Sequence, residues 1–280
     1  MQRTVLITGC SSGIGDATAR AFLDEEWDVY ATARNLEDIA ALEAAGCVTA
    51  ALDVTDDEAV RRVVERVASE SGRIDCLVNN AGCAQLGPIE DVPVEKVHRQ
   101  FDVNVYGPHR LARAVLPHMR SAETGTIVNV SSFVGRLALP TAGVYSGSKF
   151  ALEAMSDALR AEVAPFGVDV VLVEPGTVDT RFDRRSERMI DELGRTAAYD
   201  KHYRVLDDWF ALGDGGRPGS VPPETVAAVI LNAASSTDPA SRYPVGIHAQ
   251  VGNVARFAPD WIRDAIYQLV RTVTSSRLLP

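Results

Sequence analysis

A tyrosine and a lysine four residues apart, Tyr145 and Lys149, are the side chains of this sequence best suited to proton transfer. On a helix, positions i and i+4 lie on one face, so the two groups would be neighbours. A phenol normally titrates near ~10, too high for acid–base chemistry at neutral pH. An adjacent ammonium favours the phenolate and lowers the pKa of the phenol. The spacing therefore predicts a proton-transfer pair, although a half-exposed helix face produces the same spacing by chance.

A glycine-rich turn near the N-terminus indicates a site for a ligand that carries phosphate. Residues 8–15 read Thr-Gly-Cys-Ser-Ser-Gly-Ile-Gly and lie between an apolar run and a helical pattern. A dinucleotide-binding turn requires this context: Gly9 permits the tight turn, Gly13 lets backbone N–H groups approach a pyrophosphate, and Gly15 allows close packing of helix and strand. The helix N-terminus adds the positive end of its dipole.

Short apolar runs alternate with helical patterns along the chain, which is typical of βαβ units and a parallel sheet. The sequence therefore predicts an α/β fold, a doubly wound parallel sheet of the Rossmann type, as one domain over residues 1–280. We expect strands at 4–7, 28–33, 47–52, 74–78, 126–130, 168–173 and 242–245, and helices over 13–26, 36–45, 56–70, 93–120, 143–165, from 222, and over 261–273 within a C-terminal helical region of 255–275.

Composition excludes several classes of partner. The net charge is −10, from 28 Lys and Arg against 38 Asp and Glu, which argues against nucleic acid. No apolar stretch reaches the ~18–20 residues of a membrane span. The first strand begins too early for a signal peptide, and the four cysteines lack C-x-x-C spacing. We therefore expect a cytoplasmic protein with reduced, packed cysteines, and the five histidines show no spacing that predicts a metal site.

The end of the second predicted strand indicates which dinucleotide is bound. A free ribose 2′-hydroxyl usually meets an acidic residue at this point, whereas an arginine accommodates a 2′-phosphate. Here Ala33 stands at the acidic position and Arg34 follows it. A guanidinium matches phosphate in geometry and charge, and Ser11 and Ser12 could donate to the same group. The pattern favours NADP(H) over NAD(H); the alternative is that Arg34 is a solvated arginine at a helix start.

Two further segments lie where strands end. Asp53 follows the third predicted strand, where its carboxylate could accept from an adenine amino group or could instead stabilise a turn. Asn79-Asn80-Ala81-Gly82 ends the fourth strand, and its small residues allow close backbone approach. In open α/β sheets, ligands bind at this carboxyl edge.

Together these motifs resemble the short-chain dehydrogenase/reductase family. The resemblance covers roughly residues 3–180, with weaker likeness over 222–246. It is carried, in the usual order and spacing, by Thr-Gly-x-x-x-Gly-x-Gly at 8–15, Asn-Asn-Ala-Gly at 79–82, Asn104, Ser131-Ser132, Tyr145-x-x-x-Lys149 and Pro175-Gly176. Tyr-Ala-Thr-x-Arg at 30–34 is similar to the NADP-linked 17β-hydroxysteroid and retinol dehydrogenase types.

The resemblance implies a role for each of these residues. Tyr145 would be the acid/base, and Lys149 would lower its pKa and bind the nicotinamide ribose. Ser132, thirteen residues before Tyr145, would hold the substrate oxygen. Asn104 would hold a water of a proton relay, or would only tie its helix to a neighbouring strand. The expected cofactor contacts are Gly9, Ser11, Ser12, Gly13, Ile14, Gly15, Arg34, Asp53, Val54, Asn80, Ala81, Gly82, Tyr145, Lys149, Pro175, Gly176 and Thr180.

The sequence thus predicts an NADP(H)-dependent oxidoreductase that interconverts an alcohol and a ketone or aldehyde. One alternative is a non-catalytic NADP(H)-binding sensor or scaffold on the same fold; another is an epimerase or dehydratase of nucleotide sugars, against which the length argues. We expect residues 181–220 to form a substrate lid, whose aromatic residues suit an apolar, lipid-like substrate as well as a small aldehyde. The family resemblance also implies a homodimer or homotetramer.

Overall fold

The computed structural model of the protein describes residues 2–180, 182–212, 217–262 and 264. Seven strands form one sheet in the order β3-β2-β1-β4-β5-β6-β7, and every neighbouring pair is parallel. Because β1 lies between β2 and β4, the strand order reverses there, which opens a crevice at the carboxyl edge. The strands are β1 (Thr4–Ile7), β2 (Asp28–Ala33), β3 (Val48–Ala51), β4 (Cys76–Asn79), β5 (Gly125–Val130), β6 (Val168–Pro175) and β7 (Arg242–Val245).

Helices cover both faces of the sheet, as a parallel sheet requires. On one face, Phe22 and Ile230 belong to the same core as Val128. On the other face, Val64 and Leu111 pack with Ile127. The helices are α1 (Gly13–Asp24), α2 (Ala40–Ala45), α3 (Asp57–Ser71), α4 (Val94–Phe101), α5 (Gly107–Ala122), α6 (Gly143–Val163), α7 (Phe182–Asp191), α8 (Asp200–Ala211), α9 (Pro223–Ser235) and α10 (Ile247–Ala255).

Helix ends follow their local sequence signals. The carboxylate of Asp56 accepts from the backbone N–H groups of Glu58 (2.8 Å) and Ala59 (3.1 Å), which begins α3. Gly72 ends the same helix with a φ of 75°, a left-handed conformation that glycine adopts without a steric cost.

The seven predicted strands are confirmed to within two residues at each end. One helix prediction was too simple: the segment 36–45 is a 3₁₀ turn, Leu36–Ile39, followed by α2. The helical segments predicted over 93–120 are α4 and α5, and the π-helical turn between them at Asp102–Tyr106 was not predicted. Sequence reading missed α10, and the predicted helix over 261–273 falls almost entirely outside the described residues.

The described part of the segment 181–220 contains helices and no strand, as predicted. Ile190, Tyr203 and Leu206 form a small core of their own, separate from the two large ones. The Tyr203 hydroxyl donates to the Asp91 carboxylate at 2.6 Å, and Thr196 also donates to Asp91. This contact attaches the helical segment to the loop that follows β4.

The sequence predicted no membrane span, no metal site and reduced cysteines. These predictions can be compared with the structure only over the residues that it describes. Within them, no helix combines the length and hydrophobicity needed to cross a bilayer. Nor do these residues contain a cluster of histidine, cysteine and acidic side chains able to hold a metal ion. All four cysteines are buried, and none of them forms a disulfide with another described residue.

Replacing Ile127 by alanine tests the two-sided core. Ile127 is fully buried in the middle of β5, so the variant leaves a cavity and should lose about 2–5 kcal/mol of unfolding free energy. The measurement is urea denaturation. The control is Val254→Ala, because Val254 is 75% exposed and its truncation should change stability by no more than about 0.5 kcal/mol. Equal losses in the two variants would contradict the assigned core.

Candidate active site

Hydrogen bonds join the turns that follow β1 and β4 at their carboxyl ends. The Thr8 hydroxyl oxygen accepts from the backbone N–H groups of Asn80 and Ala81, each at 3.0 Å. The Asn80 side-chain amide donates to the carbonyl oxygens of Thr8 (2.8 Å) and Gly9 (3.1 Å). The predicted glycine turn and the Asn-Asn-Ala-Gly turn are therefore held against one another at the point where the strand order reverses.

The glycine turn is packed too closely for side chains at two positions. A Cβ on Gly15 would lie 2.3 Å from the carbonyl oxygen of Gly9, and a Cβ on Gly13 would lie 2.8 Å from the Thr180 Cγ2. Gly13 also has a φ of 60°, which disfavours other residues. Thus Gly13 and Thr180, which are distant in sequence, lie in contact.

A cleft of about 390 Å³ opens at this turn and at the N-terminus of α1. Backbone N–H groups and the helix dipole at such a terminus suit the pyrophosphate of a dinucleotide. Ser11, Ser12 and Gly13 line the cleft at the start of α1, and these residues fit such a ligand. The whole cleft is lined by Ser11, Ser12, Gly13, Asp16, Asp179, Thr180, Pro223 and Glu224, and its three acidic residues were not predicted.

The residues predicted at the adenosine end occupy the ends of β2 and β3. Arg34 directly follows β2 and is exposed, so its guanidinium is accessible to a ligand. Asp53 accepts from the backbone N–H (2.9 Å) and the hydroxyl (2.7 Å) of Thr55, which is the turn role named as its alternative. Val54 is buried against Gly107, where a Cβ would lie 2.8 Å from the Val54 Cγ2.

Tyr145 and Lys149 lie on one face of α6, as predicted from their spacing. The Lys149 Nζ is 5.9 Å from the centre of the Tyr145 ring and donates to the carbonyl oxygen of Val130 at 2.8 Å. Lys149 is buried, whereas Tyr145 is half-buried. The hydrogen bond to β5 fixes the ammonium near the ring, so the pair can act together in proton transfer.

The environment of Lys149 disfavours its charged form. Burial lowers the pKa of Lys149 to about 8, and the negative charges of Cys83 and Glu153, when ionised, act in the opposite direction. A lysine with such a pKa changes charge close to neutral pH, which makes it responsive to nearby charged groups.

Ser132 connects the end of β5 to the end of β6. Its hydroxyl donates to the Pro175 carbonyl oxygen and accepts from the backbone N–H of Val134, both at 3.4 Å. These are long hydrogen bonds, so the hydroxyl can exchange them for a better acceptor. Next to Pro175, a Cβ on Gly176 would lie 3.0 Å from the His248 Cβ, so α10 supports this loop.

Asn104 is buried in the π-helical turn, and its side chain makes three hydrogen bonds. Its Oδ1 accepts from the Cys83 N–H at 3.0 Å, and its Nδ2 donates to the Cys83 carbonyl oxygen (2.9 Å) and the Ser148 hydroxyl (3.1 Å). Such turns are frequent at functional sites. Asn104 thus ties α4 and α5 to the Asn80–Cys83 turn, which is the alternative role predicted for it, while its water-holding role stays a prediction.

Four residues near the site were missed in the sequence: Ser148, Gln100, Thr177 and His248. The Ser148 hydroxyl donates to the Tyr145 carbonyl oxygen at 2.7 Å, and the Gln100 amide donates to Ser148 (3.3 Å) and to the Cys83 carbonyl oxygen (2.7 Å). Thr177 contacts the His248 ring nitrogen at 3.2 Å. Ser148 could have been found in the sequence because it directly precedes Lys149. Nothing in the sequence around Gln100 or His248 indicates that they lie near the site.

Comparisons with known proteins agree with this geometry. A family model described as short chain dehydrogenase matches residues 3–191. A protein of Bacteroides thetaiotaomicron named 3-ketodihydrosphingosine reductase is 36% identical over 267 residues, which covers 94% of this chain and 94% of that protein. The fission yeast NADPH-dependent 1-acyldihydroxyacetone phosphate reductase is 42% identical over 186 residues, 66% of this chain and 62% of that one.

A solved structure shares the fold and holds a dinucleotide. The short chain dehydrogenase of Burkholderia cenocepacia in complex with NADP is 27% identical to this chain, with a TM-score of 0.75. The likeness covers 95% of this chain and 99% of that one. It confirms the predicted Rossmann-type fold over nearly the whole sequence.

Replacing Lys149 by methionine tests whether the protein holds an unfavourable buried charge. The folded-state pKa of Lys149 is lowered to about 8, so folding loses stability as pH falls from about 10.5 through 8. Lys149→Met removes this cost, and at pH 7 should raise the unfolding free energy by about 1–3 kcal/mol, less the lost hydrogen bond to Val130. The gain should shrink towards pH 10. Urea denaturation at both pH values gives the answer; a loss of stability that is the same at both would contradict the assignment.

Proposed function

Because the chain belongs to the short chain dehydrogenase family and is therefore an NAD(P)-dependent oxidoreductase, we propose that it reduces a ketone or aldehyde to an alcohol with NADPH. The observation that carries the proposal is the fixed Tyr145–Lys149 pair, with Lys149 buried and bonded to β5. A scaffold that only binds the cofactor could use Lys149 for the ribose, but it has no need for a phenol held beside that ammonium on the same helix face. The geometry therefore favours an enzyme over the sensor or scaffold alternative.

In the proposed mechanism, the substrate carbonyl oxygen accepts hydrogen bonds from the Ser132 hydroxyl and the Tyr145 phenol. The cofactor, when bound, supplies the hydride that adds to the carbonyl carbon. As the C=O bond becomes a C–O bond, negative charge develops on the oxygen, and Tyr145 gives it a proton. The resulting phenolate is stabilised by the Lys149 ammonium. In the direction of alcohol oxidation, the same phenolate removes the hydroxyl proton.

Preference for NADP(H) over NAD(H) rests on Arg34. Its exposed side chain follows β2, where a 2′-phosphate would lie, and Ala33 offers no carboxylate to bind a 2′-hydroxyl. The acidic residues of the nearby cleft and the net charge of −10 make a specific cation necessary for binding an anionic cofactor. A relative named NADPH-dependent supports the same choice.

For the substrate we propose an apolar ketone of the lipid type. Half-buried apolar side chains, Phe133, Leu137 and Leu139, lie in the segment between Ser132 and Tyr145. The two relatives reported above are named as reductases of 3-ketodihydrosphingosine and of 1-acyldihydroxyacetone phosphate. A steroid-like or retinoid-like substrate, which the resemblance at residues 30–34 predicts, belongs to the same apolar class, but these relatives carry other names.

We also propose that the protein is a homodimer or homotetramer in which α5 and α6 lie at the contact. Tyr106, directly before α5, and Phe150 and Met155, on α6, are 50%, 43% and 41% exposed, and the exposure of such large apolar side chains to water has a free-energy cost. Covering them with a second copy removes this cost.

Titration of the protein with NADPH and with NADH, followed by cofactor fluorescence, tests the cofactor preference. We expect tighter binding of NADPH, and in Arg34→Ala a loss of about 10–100-fold for NADPH alone, because a charge-assisted bond to phosphate contributes about 1.5–3 kcal/mol. Arg61→Ala is the matched control: it removes an equal charge from a side chain that is 65% exposed on α3. Preference for NADH, or an equal effect of Arg61→Ala, would refute the phosphate role of Arg34.

Replacing Tyr145 by phenylalanine tests the catalytic proposal. The variant keeps the ring but loses the proton donor, so NADPH-dependent reduction of long-chain ketones should fall about 10²–10⁴-fold while NADPH binding is retained. Tyr243→Phe, on β7, controls for the loss of a tyrosine hydroxyl elsewhere. If the wild-type protein binds NADPH but turns over no carbonyl compound, and Tyr145→Phe changes nothing, the sensor alternative takes the place of the enzyme.

A further inference from the structure

Two buried glutamates and two half-buried arginines form a charged cluster near the Tyr145–Lys149 pair, here called the acid–arginine cluster: Arg136, Glu153, Glu174 and Arg242. Arg242 lies 3.1 Å from the Glu153 Oε2 and 3.2 Å from the Glu174 Oε1. Arg136 lies 3.6 Å from each of the same two carboxyls. Both glutamates thus share the same pair of arginines, although they lie on different elements, α6 and β6.

The two carboxyls are unusually deep for charged groups. Their side chains are 5% and 1% exposed for Glu153 and Glu174. Both lie within 3.2 Å of the same Arg242 guanidinium, which brings the two carboxyls near one another. Two ionised carboxylates cannot hydrogen-bond to each other because neither has a proton to donate. The Oε1 atoms of Glu153 and Glu174 are each buried without a hydrogen-bond donor among the described residues. One proton held between the carboxyls provides a donor that the ionised pair lacks.

The charged groups around Glu153 and Glu174 are consistent with one proton held between the two carboxyls. Beyond the two arginines, the charged groups that face the cluster are Asp157, which binds Arg242 at 2.7 Å, and Lys149, one helical turn from Glu153. Arg160 in turn binds Asp157 at 2.6 Å, and the neutral amide of Asn253 donates to Glu174 at 3.1 Å. With both glutamates ionised, two like charges would lie side by side in the protein interior, an arrangement that strongly raises one pKa.

The cluster lies where it can act on the catalytic groups. Arg136 follows the Ser132 turn, Glu174 precedes Pro175, and Glu153 follows Lys149 on α6. These elements are in direct contact: a Cβ on Gly135 would lie 3.2 Å from both the Glu153 Cγ and the Lys149 Cβ. A change of charge at Glu153 therefore reaches the ammonium one turn away through protein rather than through water.

We propose that Glu153 and Glu174 share a single proton within the acid–arginine cluster, and that Glu153 is a positioning residue whose charge sets the ionisation of the Lys149–Tyr145 pair. The proposal rests on the proposed function, in that it assigns proton transfer to this pair. While the proton is held, the two carboxyls carry one negative charge. When it leaves, a second negative charge appears one helical turn from Lys149 and favours the ammonium, which in turn favours the Tyr145 phenolate.

The two carboxyls of the acid–arginine cluster titrate closer to neutral pH than ordinary glutamates do. Burial raises the pKa of Glu153 to about 7 and also raises the pKa of Glu174, and the two carboxyls titrate as a pair. The proton is therefore held below about pH 7 and released above it. A glutamine at position 153 resembles the protonated acid in shape and charge at every pH, which makes it the informative substitution.

The first measurement detects the proton itself and needs no substrate. Infrared spectra of the wild-type protein in D₂O near pH 6 should show the carbonyl band of a protonated carboxylic acid. The band should be lost in Glu153→Gln and also in Glu174→Gln, because the remaining carboxyl then ionises and accepts from the amide. Asp157→Asn is the matched control and should keep the band, since Asp157 is a partner of the same Arg242 but is 43% exposed. A spectrum without the band, or one unchanged in both glutamine variants, would overturn the shared proton.

The second measurement tests the effect on the catalytic pair, again without turnover. The ultraviolet phenolate signal of Tyr145 is obtained by subtracting the pH titration of Tyr145→Phe from that of the parent protein. In the Glu153→Gln background its midpoint should move up by about half a pH unit or more, because the negative charge that favours the neighbouring Lys149 ammonium has been removed. Asp157→Asn should leave the midpoint in place. Equal midpoints in the wild-type protein and both variants would reduce the cluster to a structural role.

These readouts separate the inference from the proposed function. If no carbonyl compound is turned over but the acid band and the midpoint shift are found, the inference stands and the enzymatic proposal fails. If turnover is found without them, the enzyme stands and the inference fails. Should Glu153→Gln not fold, Glu174→Gln with the same two measurements decides the question, since it removes the other carboxyl of the pair.

Discussion

Parallel pairing of the strands is the constraint on which the rest of the structure depends. Because all seven strands run in one direction, each ends at the same edge, and the loops that follow them are brought together. Residues separated by more than 160 positions, such as Gly13 and Thr180, come into contact in this way. Catalysis requires groups from several loops, so the site is a consequence of the sheet topology. The two-sided packing of helices keeps that edge as the place where polar groups can meet water and ligand.

The hydrogen bonds at this edge determine the precision of the site. Thr8 and Asn80 satisfy the backbone groups of two turns that the sheet leaves without partners. Asn104 does the same for the Cys83 turn and reaches Ser148, which in turn binds the backbone of Tyr145. These hydrogen bonds, together with the backbone between Ala81 and Cys83, connect the glycine turn to α6. Such networks position a site well only if every member is satisfied.

The sequence was sufficient for the strands and for most of the candidate site, for a physical reason. Short buried strands and glycine turns have local signatures, because apolar runs and positive φ angles limit the choice of residue. Tyr145, Lys149 and Ser132 could be found from spacing and family resemblance. The division of 93–120 by a π-helical turn could not, because the turn depends on the tertiary contacts of Asn104. Glu153 and Glu174 were missed for the same reason: each looks like an ordinary surface acid until the fold brings both against Arg242.

Buried charge distinguishes the C-terminal half of the sheet from the N-terminal half. Around β1 and β2 the core is apolar, whereas β6, α6 and β7 enclose two glutamates, two arginines and a lysine. A well-packed apolar core would be at least as stable as such an ionic cluster. The charged groups are concentrated beside the residues proposed to move a proton, where a fixed field in a medium of low dielectric constant acts strongly. An apolar core would provide no such field beside the residues proposed to move a proton.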